Sequence, residues 1–480
     1  MTSQNSATDK VLSLAEAFAP FAVLLTVFSL GTFYLNTGNS VIVLAIILAA
    51  AVASATAFRQ GRTWQDIQTA AGGKVAELFP ALLILLSIGG LIGSWMLSGT
   101  IPFFVTAGLQ IVSPETFAIT AFLGTALMSL MTGTSWGSAG TLGVAMMGMA
   151  GVLDVSLAMT AGAVVSGAYF GDKMSPLSDT TNVAAFASGA DLYSHIAHMA
   201  YTAGPSFVLA LVIYTVASAT GAPGDAQLPR DAMALLSDID RHFLMGWPVF
   251  LPPVAVLGAV ALRWPPIAGI GLSSLLAMAV GSLYQDFSIE QAIQAAMTGF
   301  EVTMLGEATS NSGHLASLVN RGGVYAMVDT LVIVLTAVML TGAMETSGAL
   351  KRLISFLLKV TSSIFGLISA TMAAGLMLIS LSSHGSVTAL VVGNLFQSAY
   401  RDKGLAPENL SRSIEDSVTL TDPILPWTVS GIFMAKTLGV PTLEYLPWTV
   451  FCLGGMVFSL IYPALHMHTK GFGIKPLNRK

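Results

Sequence analysis

The segment GAYFGDKMSPLSDTTN (167–182) places Asp172, Lys173 and Asp179 inside a long apolar region. Ser175, Ser178, Thr180 and Thr181 stand between the charges, and Gly171 and Pro176 are expected to interrupt a helix there. Charged residues make up 9% of the 480 and hydrophobic ones 54%, whereas a soluble domain carries roughly 25% charged. The chain therefore reads as an all-α polytopic membrane protein. Carboxylates at bilayer depth are costly and point to a functional site. A broken helix there survives only where protein or a watery cavity receives its freed backbone groups. Discontinuous helices of this kind build the ion and substrate sites of secondary transporters. An ordinary extramembrane loop is the plainer alternative.

Apolar runs of spanning length, about 20 residues, fall near 16–36, 41–57, 79–97, 201–219, 243–263, 266–284, 327–345 and 446–465. Four further segments are interrupted: 115–151 at TGTSWGS, 156–187, 363–400 at SSHGS, and 410–436. The first and third read as re-entrant hairpins, the others as unwound helices. The polar, acidic stretch 221–242 reads as a linker between a first unit (15–220) and a second (243–468), with tails at 1–14 and 469–480. The first apolar run lacks a cleavage site and reads as a retained span. Cys452, the single cysteine, has no partner for an intramolecular disulfide.

The two units echo each other in order. TWQDIQTAA (63–71) resembles SIEQAIQAA (288–296), and GTSWGS (133–138) falls opposite SSHGS (382–386). SPLSDTTN (175–182) falls opposite TLTDPILP (419–426), which matches Asp179 with Asp422 and Gly171-Asp172 with Glu415-Asp416. With five crossings per unit and the N-terminus inside, fifteen of the 20 basic residues lie on the cytoplasmic side, the bias expected of a correct topology. An odd number of crossings makes the repeats inverted, the plan of alternating access, and leaves both termini cytoplasmic.

Sodium is a hard cation that prefers oxygen ligands. Around Asp179, Ser178, Thr180 and Thr181 supply hydroxyls and a break supplies carbonyls; Thr421 and Asp422 before Pro423 supply a second set. Thr134 and Ser135 at one hairpin tip, and Ser382, Ser383 and His384 at the other, complete four polar breaks that would meet at the midplane. A carboxylate leaving water favours its protonated form, and a bound cation favours the ionised one, so one group that holds either is an antiporter in outline. Asp179 and Asp422 are the leading candidates. Asp172 and Asp416 either join them or form structural pairs, with Lys173 and with Arg412 respectively. His384 is either a proton relay or a tip residue bonded to backbone. Trp136 reads as packing for its tip. Asp191, His195 and His198 lack a further metal ligand and read as a loop or interfacial helix. No HExxH, no GxxxxGK[ST] and no basic patch interleaved with aromatics occurs, so protease chemistry, nucleotide hydrolysis and nucleic-acid binding are not expected. Nor is any cofactor, beyond sodium as transported or coupling ion.

GTSWGSAGTLG (133–143), SGAYFGDKMSPLSDTTN (166–182), LVNRGGVYAM (318–327) and TLTDPILPW (419–427) resemble the NhaC family of Na+/H+ antiporters, within the larger ion-transporter group. The resemblance implies an inverted-repeat fold with two hairpins and two unwound helices, a homodimer, and residence in a bacterial or archaeal inner membrane. On the matching motifs it singles out Asp172, Ser178, Asp179, Thr180 and Asp422. Similar proteins include exchangers of malate and lactate and proposed amino-acid transporters. Two functions follow: exchange of sodium for protons, or sodium- or proton-coupled transport of a small organic acid or amino acid. No arginine sits at any of the four breaks, though Lys173, hairpin amides or helix N-termini could receive a carboxylate.

Overall fold

A computed structural model of the protein describes residues 12–35, 40–221, 230–262, 264–306, 313–360, 362–382, 385–465 and 472–477. The N-terminal half of the chain comprises α1 (Leu14–Phe33), α2 (Ser40–Arg59), α3 (Trp64–Leu97), α4 (Thr100–Ile111), α5 (Phe117–Thr132), the single turn α6 (Ser135–Ser138), α7 (Val144–Val152), α8 (Leu157–Met174), α9 (Asp179–Ser188) and α10 (Leu192–Gly221). After α11 (Arg230–His242) the C-terminal half comprises α12 (Leu251–Ala261), α13 (Pro266–Leu283), α14 (Ile289–Met297), α15 (Gly313–Val319), α16 (Val328–Thr346) and α17 (Ala349–Leu357). It continues with α18 (Ile364–Ser382), α19 (Gly385–Asp402), α20 (Pro407–Ile414), α21 (Val429–Leu438), α22 (Thr442–Tyr445) and α23 (Val450–Ala464). Among the described residues there is no strand, only two isolated bridges, Phe300 with Arg321 and Leu405 with Pro476. Eight helices there are long and apolar enough to cross a membrane, or ten if each of two bent pairs counts as one span.

Capping explains where helices begin. Thr63 and Ser288 open α3 and α14 with the same capping box, each hydroxyl accepting the N3 amide while the N3 side chain returns to the cap backbone. The two helices then diverge. α3 runs on for 34 residues, whereas α14 stops after nine and the chain makes a detour before α16 resumes. The detour returns through Gly322 and Gly323, at φ of 83° and 93°, a conformation that favours glycine. Gly323 N–H donates to the Gly89 carbonyl of α3 at 2.6 Å, and a Cβ at Gly93 would collide with the Ala295 carbonyl. Glycines on both sides thus let the backbones touch.

Two expectations are corrected. Gly171 does not end a helix: it lies within α8, buried, where a Cβ would strike the Ala126 carbonyl of α5. Small residues permit such close approach in membrane bundles. The break comes at 175–178, at Pro176. The stretch 221–242 is also more than a linker, because its described part holds α11, whose Leu235 and Ile239 are fully buried against α4, α7 and α15. Their spacing of four residues sets them on one face.

Candidate functional site

The α8–α9 break and the α20–α21 break are built alike. Ser178 caps α9 by accepting from Thr181 N–H, and Thr428 caps α21 by accepting from Gly431 N–H. Each helix has ten residues and ends at a left-handed glycine, Gly189 or Gly439. Counting back from the matched caps pairs Pro176 with Pro426 and Asp172 with Asp422. Asp179 then falls opposite Val429, so the acidic pair is Asp172–Asp422 and not Asp179–Asp422. The segments that follow α5 and α18 match in the same count: Thr132 contacts Ser138 at 3.5 Å in one, and Ser382 contacts Thr388 at 2.5 Å in the other.

Both paired carboxylates are buried, Asp172 at 3% exposure and Asp422 at 8%. Ser135, at the start of α6 just after α5, donates to Asp172 Oδ2 at 2.8 Å. Ser430, in the first turn of α21, donates to Asp422 Oδ2 at 2.5 Å. In each carboxylate the other oxygen, Oδ1, has no hydrogen-bond partner among the described residues. Tyr169, one turn before Asp172, is buried and within Coulombic reach of both. The loose carbonyls are stitched by hydroxyls: Thr181 donates to those of Asp172 and Lys173, Thr428 to that of Asp422, and Tyr445 to that of Pro423.

The ion pair at the centre is not one the sequence offered. Lys173 Nζ bonds Asp416 Oδ1 at 2.5 Å, with both side chains wholly buried, and Thr202 adds a hydrogen bond to the same oxygen at 3.2 Å. Lys173 therefore serves Asp416 rather than its neighbour Asp172. Asp416 sits in a π-helical turn, Glu415–Thr419, that ends α20; such turns recur at functional sites. Glu415, 1% exposed, has an unpartnered Oε2. Arg412, also buried, donates to the Gly473 carbonyl and lies 5.8 Å over the Tyr462 ring instead of pairing directly with Asp416.

The other candidates are dispersed. Asp179 is exposed in the first turn of α9, where a helix dipole favours an acid, though it remains within Coulombic reach of Asp172. Thr180 is half-buried and its hydroxyl meets that of Ser178 at 3.0 Å. Thr134 caps α6, and Thr421 is buried against Met456 Sδ. Ser383 and His384 lie outside the described residues. Of the two readings of this stretch, loop or interfacial helix, the helix holds: His195 and His198 lie in α10, buried, contacting Ser411 at 2.7 Å and Asn409 at 3.2 Å. Asp191 is exposed and accepts from Ser194 N–H, which holds its carboxyl below the ordinary range. Trp136 stacks on Phe433 of α21, centroids 4.4 Å apart and planes at 13°.

Comparison with known proteins gives these residues a context. A model described as the Na+/H+ antiporter family matches residues 167–466. A Haemophilus influenzae protein named an uncharacterized Na+/H+ antiporter is 42% identical over 97% of both chains. The Na+/H+ antiporter NhaC of Alkalihalophilus pseudofirmus is 34% identical over 83% of this chain and 85% of its own. The malate-2H+/Na+-lactate antiporter of Bacillus subtilis is 31% identical over 87% of this chain and 88% of its own.

Proposed function

The chain belongs to the NhaC family of Na+/H+ antiporters, and on that premise we propose that it exchanges sodium for protons at its two helix breaks. It is a multi-pass membrane transporter, not an enzyme. The observation that carries the reading is the matched pair Asp172 and Asp422. Each is buried, steadied through one oxygen by a serine hydroxyl, and left with its other oxygen unpartnered. A buried carboxylate oxygen of this kind is free to receive a proton, a cation or a water molecule. A hard cation and a proton compete for it, so loading one releases the other. The four acids around the breaks, Asp172, Glu415, Asp416 and Asp422, outnumber the two buried cations, Lys173 and Arg412, which leaves charge for sodium or protons to neutralise.

In this reading the matched breaks belong to two inverted repeats that alternate access around the site, and Asp179 is the carboxylate at its entrance. Sodium leaves a cytoplasm that holds both termini, across a bacterial or archaeal inner membrane, and the unit is a homodimer. A second reading is favoured by the Bacillus subtilis malate/lactate relative, almost as similar as the NhaC relative: a small organic acid travels with the ions. The deciding experiment is proton flux in proteoliposomes containing a pH dye. Sodium alone should dissipate an imposed pH gradient. Dissipation only when sodium is joined by an organic acid or amino acid would replace exchange by coupled solute transport.

A further inference from the structure

The Trp136–Phe433 stack joins the two serines that hold the acidic pair. Trp136 directly follows Ser135, whose hydroxyl holds Asp172. Phe433 stands three residues after Ser430, whose hydroxyl holds Asp422, and residues so spaced lie on one face of a helix. The rings are nearly parallel at 4.4 Å, Phe433 is fully buried, and Trp136 also packs on the cluster of Ala71, Leu78, Val334, Val338 and Val429. The chain around Trp136 has little freedom: Gly133 at φ 69° turns it, and a Cβ there would press on Leu177 in the α8–α9 break. Each ring is thus the near neighbour of a serine that holds one of the two carboxylates.

We propose that the Trp136–Phe433 stack is the spacer that sets the distance between the Asp172 and Asp422 carboxylates, and so determines which monovalent cation the site accepts. This rests on the reading of those two aspartates as the cation site. Neither ring touches the ion, so both are positioning residues. The second unit has no such spacer: in the same count Trp136 falls opposite Ser386 and Phe433 opposite Val183, so the separation is governed from one side.

The test is binding of radioactive sodium to the solubilised full-length protein, with lithium and potassium as competitors, for Trp136→Ala, Phe433→Ala, Trp136→Phe and the exchange Trp136→Phe/Phe433→Trp. Each alanine variant should weaken sodium binding roughly three- to tenfold, the worth of such an aromatic pair, and narrow the preference for sodium over potassium. Trp136→Phe and the exchanged pair, which keep two stacked rings, should stay within about twofold of wild type. Unchanged affinity and preference in both alanine variants would overturn the proposal. So would an equal fall for every cation that tracks lost thermal stability, since that is what packing alone gives. Sodium–proton flux of the wild type judges the antiport reading separately, because binding preference is measured without transport.

Discussion

The two helix breaks are assembled from the same parts but carry different charge. Each has an aspartate, a proline four residues later, a hydroxyl cap two residues after that, a ten-residue helix and a terminal glycine. The first adds a cation, Lys173, and the second adds two acids upstream, Glu415 and Asp416. The lysine of the first break is spent on an acid of the second. Asp172 takes its hydroxyl from the turn α6, remote in sequence, whereas Asp422 takes its own from the helix that follows it. Backbone architecture is thus shared, and the division of labour lies in side chains that cross between the units.

If the shared architecture sets function, the two aspartates should be equivalent and Asp179 should not. Asp172→Asn and Asp422→Asn, both nearly isosteric, should each abolish sodium-dependent proton flux in proteoliposomes while the protein still inserts. Asp179→Asn should retain flux and show at most a weakened apparent affinity for sodium. Wild-type flux in either Asp172→Asn or Asp422→Asn would break the pairing; complete loss in Asp179→Asn would move the site to the entrance.

The charge difference predicts the next largest effect. Removing one partner of a buried ion pair costs roughly 3–5 kcal/mol because the other charge is left uncompensated. Lys173→Met should therefore sharply lower the yield and thermal midpoint of solubilised protein. Lys173→Met/Asp416→Asn, which removes both charges, should recover much of that stability. A stable single variant would show that the buried pair contributes little to stability and would break the charge comparison.

The hydroxyls come next. A hydrogen bond to a charged group is worth about 1.5–3 kcal/mol, so Ser135→Ala and Ser430→Ala should each weaken sodium affinity by roughly tenfold or more. Equal losses would say that the α6 turn and the α21 helix hold their aspartates equally well. A loss confined to Ser430→Ala would make the second break the tighter binding half.

Much of this was legible in the sequence, and the failures have physical causes. Runs of apolar residues betray spans because a bilayer demands length and apolarity, and hydroxyl-rich interruptions betray breaks. Matching Asp179 with Asp422 failed because it aligned acids; Ser178 with Thr428 and Gly189 with Gly439 align backbone geometry, and that pairing gave Asp172 its partner. The Lys173–Asp416 bridge was not legible, because nothing local marks which of several distant acids a buried lysine meets. The same holds for His195 on Ser411 and His198 on Asn409: residues three apart share a face once the stretch is helical, but nothing local says what covers it. Leu235 and Ile239 did announce a helix face in the supposed linker, a signal masked by the acids around them.

The smallest effect should come from the point where the second unit ties its broken helix to a neighbour. In the last turn of α21, Lys436 bonds Asp329 of α16 at 3.0 Å; in the same count the first unit has Phe186, 79% exposed. A cation near a helix C-terminus complements the dipole, but the Asp329 side chain is 78% exposed, and pairs so wet contribute roughly 0–1 kcal/mol. Lys436→Ala should therefore leave sodium-dependent flux within about twofold of wild type and barely move the thermal midpoint. If flux instead collapsed while stability held, the tether would be part of the movement that opens the site, and the difference between the units would extend from charge to motion.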